Sequence, residues 1–191
     1  MARPRSGDKR NILLAAAAKV FASNGLSATT ASVTAEAGVA EGTLFLYFKG
    51  KKELINALYA EIKRSLAEAM FEGYSESASI HDRTKHVWYQ YVEWGVKNPD
   101  QLASLHKLKV WDELDEEVRE AANAQFCELH SLMKQAIEEG AFANINEEFL
   151  IAMLTAQAET TMQFMRQDSS NATFYKKRGF EIFWNGLSHG E

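Results

Sequence analysis

Apolar residues recur at three- and four-residue spacing along most of this chain, the period of helices with one buried face. Leu13, Ala17, Val20 and Phe21 form the first such stripe, on a predicted helix from Ser6 or Gly7 to Ser23 that Asn24-Gly25 stops. Val33 and Ala37 are the inward positions of a short second helix, with Thr30 as its expected cap. Gly38 stands where the chain must leave that helix, in a left-handed conformation that a Cβ would disfavour. Val39 re-enters the core, and a third helix begins near Ala40 or Glu41. On it Leu44 and Phe48, four apart, face inward onto Val33 and Ala37, while Gly42, Thr43, Phe45, Leu46 and Tyr47 point outward. Two short helices folded about a glycine turn suit the laying of the second one in a DNA groove.

A long helix follows from Lys51 to about Glu72, with Leu54, Leu58, Ile62, Leu66 and Met70 on one face and Tyr59 and Lys63 on its flank. The polar stretch from Gly73 to Ser79 breaks it. Further helices are predicted from about His81 to Lys97, ended by Pro99, and from Asp100 to Trp111. Asp115 to Glu139 reads as one long helix, with Val118, Ala122, Phe126, Leu129, Met133 and Ile137 inward and Gly140 as its stop. Asn146 caps a helix to about Gln167, and Ser170 or Asn171 caps the last, to about Gly186. The expected fold is all-α with about nine helices: a three-helix head over residues 1–50 and a helical body over residues 51–191.

The net charge of −5 argues against a nucleic-acid partner until its distribution is considered. Through Leu54, eight basic side chains (Arg3, Arg5, Lys9, Arg10, Lys19, Lys49, Lys51, Lys52) stand against four acidic ones (Asp8, Glu36, Glu41, Glu53), a balance of +4 that leaves −9 for the rest. A basic head on an acidic body concentrates attraction for phosphate at one end. Cys127 is the lone cysteine, no apolar run nears the roughly 20 residues of a membrane span, and no secretory leader pattern is present. A cytoplasmic location without a membrane partner is therefore expected. His81, His86, His106, His130 and His189 lack metal-ligand spacing, and no G-x-S-x-G, P-loop or G-x-G-x-x-G motif occurs. Neither an enzyme nor a metal or cofactor site is expected.

The head resembles the TetR family of helix-turn-helix regulators. Phe21, Gly25, Thr30, Val33, Ala37-Gly38-Val39, Gly42-Thr43-Leu44, Tyr47-Phe48, Lys51 and Leu54 carry the likeness, within a stretch from about Lys9 to Leu58. Glu41 to Phe45, Glu53 to Tyr59, Trp94-Gly95 and Glu159-Thr160-Thr161-Met162 resemble a RamR-type branch. That resemblance implies a dimeric repressor of multidrug-efflux circuits, held on palindromic operator DNA and released by bulky aromatic or amphipathic molecules. Thr30, at a helix N-terminus, and Lys51, opening the long helix, are the expected phosphate contacts. Thr43 and Tyr47 match family positions that touch the DNA backbone, Glu41 and Gly42 start the reading helix, and Leu46 reaches base edges. Phe45 stands where the family usually carries tyrosine, and Leu46 where a polar residue is common. Thymine methyls, water and DNA shape then carry more of the discrimination. Arg3-Pro4-Arg5 with Lys9-Arg10 reads equally as a DNA-contacting arm or a solvated tail.

The last two predicted helices carry more apolar surface than a monomer needs: Leu150, Met153, Leu154 and Phe164 on one, Phe174, Phe180, Ile182, Phe183 and Trp184 on the other. The resemblance implies that they meet their twins in a four-helix bundle, giving a homodimer. Tyr59, Lys63, Leu66 and Met70 fall on one side of the long helix, and Thr84, Trp88 and Tyr91 on one side of the next. With Leu105, Met133 and Leu154 they outline an apolar, aromatic enclosure for flat greasy molecules; the same stripe also reads as plain core. Leu154 and Ile151 depart from the aromatic and acidic residues expected there. Glu159 either neutralises a cationic ligand or pairs with a basic or hydroxyl group nearby. The rival to the whole reading is a helical ligand-binding or protein-interaction module without sequence-specific DNA binding.

Overall fold

The structure, a computed structural model, describes residues 6–142 and 144–188. Among these, every regular element is helical. They are α1 Ser6–Asn24, α2 Thr30–Glu36, α3 Glu41–Leu44, α4 Lys51–Phe71, α5 Ile80–Lys97, α6 Pro99–Lys109, α7 Glu116–Ala124, α8 Cys127–Glu138, α9 Glu147–Gln167 and α10 Ala172–Ser188. A 3-10 turn, Ser169–Asn171, precedes the last. None of these helices is long and apolar enough to cross a membrane.

Local chemistry sets the ends. Ser79 Oγ accepts from the Asp82 N–H at 3.1 Å to start α5, and Asn146 Oδ1 accepts from the Phe149 N–H at 3.2 Å to start α9. Pro99 opens α6, at the one helical position where a missing N–H costs nothing. The expected cap of α10 takes another form. Ser170 Oγ, Asn171 Nδ2 and Tyr175 OH all donate to Asp168, at 2.6, 2.8 and 3.2 Å. Those donors, Ser170 foremost, hold the Asp168 carboxyl below its usual range.

The single helix expected from Asp115 to Glu139 is two. Phe126, at φ −105° and ψ 17°, interrupts the path between α7 and α8. Phe126 is buried, as are Ala122 before it and Leu129, Leu132, Met133 and Ala136 after it, whereas Val118 and Ile137 are only half-buried. Nearly all of α7 belongs to one compact unit and α8 to the other, so among the described residues ten α-helices stand where about nine were expected.

The chain forms two compact units, neither of them contiguous. One comprises the residues through Arg64 together with Pro99–Asn123; the other comprises Ser65–Asn98 and the residues from Ala124 onward. The segment expected to be the head thus shares its unit with most of α4, all of α6 and nearly all of α7. In this first unit α1 packs on α2 and α6, and α2 on α3, around buried Leu13, Ala17, Phe21, Val33, Leu44, Leu54, Leu58 and Leu105. Ser104 Oγ donates to the Ala18 carbonyl at 2.6 Å, and Lys107 Nζ to those of Phe21, at 2.9 Å, and Ala22. In this way α6 adds side-chain donors to carbonyls near the C-terminal end of α1, where the helix's own N–H groups run out.

In the second unit α5 packs on α8, α9 and α10, α8 on α9, and α9 on α10. Trp88 of α5 is fully buried, stacked on Phe183 with ring centroids 5.5 Å apart, and its indole N–H donates to the Lys176 carbonyl at 3.3 Å. Gly179 lets α10 approach: a Cβ there would collide with Thr161 Oγ1 and stand 3.1 Å from the Trp88 ring.

Candidate nucleic-acid interface

Thr29, one residue before the expected position, caps α2. Its Oγ1 accepts from the Ser32 N–H at 3.2 Å, and Thr30 becomes the first helical residue, half-buried in the opening turn. Two adjacent threonines offer the same capping chemistry, and only the backbone path separates them. Val33 is buried as expected, and so is Thr34, whose hydroxyl is satisfied by donating to the Ala31 carbonyl at 3.0 Å. Ala37, at the end of α2, is only half-buried.

Gly38 has φ +65°, and its N–H closes on the Ala35 carbonyl while that of Val39 closes on Thr34. Nothing lies within 4 Å of where its Cβ would be. Conformation, not space, demands glycine here. After α3, the N–H groups of Tyr47 and Phe48 both bond to the Leu44 carbonyl, extending the helical path. Leu44 and Phe48 are buried, whereas Phe45 is 53% exposed and Leu46 79%. Glu41 and Gly42 are also exposed, and Thr43 and Tyr47 half-exposed. Inward and outward residues divide as expected, but α3 itself is one turn that ends at Leu44, and Phe45 to Phe48 follow in a turn rather than on the longer helix expected.

Its flanks are basic. The Lys49 N–H donates to Glu53 Oε2 at 2.7 Å, which steadies the entry into α4. Lys51 opens that helix. Arg10 lies over the Phe48 ring, 5.6 Å from its centroid, so this cation braces the head internally. Arg3-Pro4-Arg5 lies outside the described residues. Among the described residues no His, Cys, Asp and Glu side chains gather in a group able to hold a metal ion.

Residues 13–58, from α1 into α4, match the model of the bacterial regulatory proteins of the tetR family. That segment, about a quarter of the chain, is thus similar to the DNA-binding part of tetR-family regulators. It is 27% identical over 176 residues to a nucleoid occlusion factor SlmA of Shewanella loihica, covering 89% of each chain. It is 26% identical over 132 residues to the fatty acid metabolism regulator protein of Bacillus subtilis, covering 67% of this chain and 68% of that one. Among solved structures, a TetR family transcription regulator from Marinobacter aquaeolei superposes with a TM-score of 0.85 at 16% identity, over 95% of this chain and 96% of that one. This last likeness concerns the fold. The matched segment spans the helix-turn-helix described above, and the relatives and the fold likeness are to bacterial regulators of the same kind.

The ten residues expected to line a pocket divide between the units: Tyr59, Lys63 and Leu105 in the first, Leu66, Met70, Thr84, Trp88, Tyr91, Met133 and Leu154 in the second. All are buried except Lys63, which is half-buried. Burial, and then the neighbouring Lys109, lowers the Lys63 ammonium to a pKa of about 8. The polar atoms of the α5 stripe have partners within the chain. Thr84 Oγ1 donates to the Ile80 carbonyl at 2.7 Å, the Trp88 N–H is bonded to α10, and Tyr91 OH donates to Glu159 Oε1 at 3.2 Å. Burial first, and Glu159 second, push the Tyr91 phenol pKa up. Tyr91 is thus a hydroxyl partner of the kind weighed for Glu159.

Sequence reasoning missed three polar links. They are the grip of Ser104 and Lys107 on α1, the buried Arg83 bonded to Tyr74 OH at 2.8 Å and Gln135 Oε1 at 2.7 Å, and a bond between Asn56 and Asp115. Helical periodicity cannot pair residues 59 positions apart. The available signal was Asn56 itself, a polar residue beside apolar Leu54 and Ile55 that would need a partner if buried.

Proposed function

We propose that this chain is a ligand-responsive repressor that binds a palindromic operator as a homodimer and lets go when a bulky aromatic or amphipathic molecule occupies its body. The DNA half of the reading is carried by α3 and the turn after it, where buried Leu44 and Phe48 anchor a segment that exposes Gly42, Phe45 and Leu46. Thr30, Glu41, Thr43, Tyr47 and Lys51 complete the DNA-facing set. Phosphate contacts position the head, and the exposed apolar pair favours T-rich steps through methyl contact. Support for the homodimer comes from α9 and α10. Phe164, Phe174 and Ile182, at 46, 62 and 55% exposed, border a groove of about 320 Å³ that also involves Gln157, Thr160 and Arg178. A second copy would cover this surface.

The repressor sense and the efflux link rest on the RamR-type resemblance. The relatives described above are named for nucleoid occlusion and for fatty-acid metabolism, so the effector class is taken broadly, acyl amphiphiles beside aromatic cations. An effector acts only through preferring the DNA-incompetent state over the competent one.

Selection of bound duplexes from a random pool tests the proposal. An inverted repeat should emerge, and a duplex carrying it should dissociate when an amphipathic molecule that raises the melting temperature is added. A pool that stays unenriched at low ionic strength, without small molecules, rules the reading out and favours the interaction-module rival.

A further inference from the structure

Asp115, immediately before α7, reaches the start of α4 in three ways. Its Oδ2 accepts from Asn56 Nδ2 at 2.6 Å, its backbone N–H donates to Asn56 Oδ1 at 3.1 Å, and its Oδ1 stands 2.5 Å from Lys52 Nζ. Asn56 is buried, and a carboxamide removed from water needs both its ends bonded. Asp115 supplies both bonds, which fixes the carboxylate in place. The ion pair is different in kind: the Lys52 and Asp115 side chains are each about half exposed. The side chain of Lys51, next to it, makes no hydrogen bond or ion pair among the described residues. Both lysines border one cleft of about 360 Å³ that Leu26, Ser27, Trp111 and Glu113 also line. Around Asp115 the sequence is Asp112-Glu113-Leu114-Asp115-Glu116-Glu117, so the basic end of α4 faces a carboxylate-rich segment.

We propose that Asp115 sets how much of the charge at the start of α4 is available to DNA, holding Lys52 in the place of a phosphate. The inference rests on the DNA-binding reading above. Lys51 is a cation already free for the DNA backbone, and a phosphate must displace a carboxylate before Lys52 can engage. That exchange is one anion for another at a half-exposed site, where ion pairs are weak and replaceable. Asn56 makes Asp115 a positioned competitor rather than one of several mobile acids. Asp115 is a positioning residue, acting on DNA through Lys52.

The test uses the full chain and a mixed-sequence duplex, since a lysine–phosphate contact carries no sequence information. Affinity is measured against salt concentration for the parent, Asp115→Asn, Lys52→Gln, Lys51→Gln and the Asp115→Asn/Lys52→Gln pair. Asparagine keeps an amide oxygen for Asn56, the backbone N–H and the capping ability of position 115. Asp115→Asn should bind roughly two- to fivefold more tightly, the range of an exposed pair. Its log K against log salt should steepen by about 0.9, one further phosphate. In the Lys52→Gln background the same change should do little, which separates a local effect from a general gain of positive charge.

In the parent, Lys51→Gln should weaken binding more than Lys52→Gln, a comparison that holds even if Asp115→Asn fails to fold. Melting temperatures report the fold of each variant. The proposal is overturned if a folded Asp115→Asn leaves affinity and slope unchanged, if its gain persists without Lys52, or if the two lysines matter equally. A parent that binds no duplex at low ionic strength overturns the DNA reading and this inference together, whereas binding without the Asp115 effect overturns this inference alone.

Discussion

At the residue scale, two glycines show how one residue type answers two demands. Gly38→Ala meets no obstacle in space but must hold φ near +65°, which costs about 1 kcal/mol. Gly179→Ala has an ordinary backbone and meets Thr161 and Trp88 instead, so it should cost about 1–3 kcal/mol through forced repacking. Urea unfolding of both variants measures the two costs, and Gly38→Ala should also weaken DNA binding because it disturbs the turn that aims α3. Lys63 offers a second prediction. Its folded pKa of about 8 lies below the ordinary 10.5, so between these values the unfolded chain binds the additional proton and stability rises with pH. Below about 8 both states are protonated and the full burial penalty applies. Lys63→Met should therefore exceed the parent in stability at pH 7, with the margin narrowing toward pH 10.5 in matched denaturation curves. The cause of the shift, burial beside Lys109, was not legible in sequence; the helical position of Lys63 was.

Among the elements, the helix-turn-helix was almost wholly legible, because a glycine stop, a four-residue apolar pair and a cap leave little freedom. The displacement from Thr30 to Thr29 can be measured. Thr29→Ala should cost about 1 kcal/mol through loss of the cap, whereas Thr30→Ala should leave stability nearly unchanged while weakening DNA binding. Thermal melts paired with duplex titrations separate the two outcomes. The break between α7 and α8 was illegible because no proline or glycine marks it and the stripe from Ala122 to Met133 runs through it unbroken. What ends α7 is the burial of Phe126 in a non-helical conformation. Phe126→Ala should destabilise the chain by about 3 kcal/mol.

At the scale of the whole molecule, chain order suggested one cut near residue 50, yet the compact units interleave. Periodicity reports which face of a helix is buried but carries no record of what covers it. That is why α6 could be placed as a helix and still be missed as the partner of α1. For the same reason nine of the ten presumed pocket residues, all but Lys63, could be read as buried, while the bonding of Thr84, Trp88 and Tyr91 within the chain emerged only from the packing. Self-association belongs to this scale too. Phe174→Glu together with Ile182→Glu should shift the chain to monomer in sedimentation at micromolar concentration and lower affinity for a two-half-site duplex far more than for a single half-site. A parent that sediments as a monomer would remove the dimer from the proposal.

The hold of Ser104 and Lys107 on the end of α1 bears on any attempt to transplant this reader onto another sensor. A segment excised where the family match ends, at residue 58, would leave the Ala18, Phe21 and Ala22 carbonyls without those donors and one side of α1 bare. A functional chimaera must inherit residues 99–123 from the same parent, or find in its new host a helix that offers a hydroxyl and an ammonium at the same two heights.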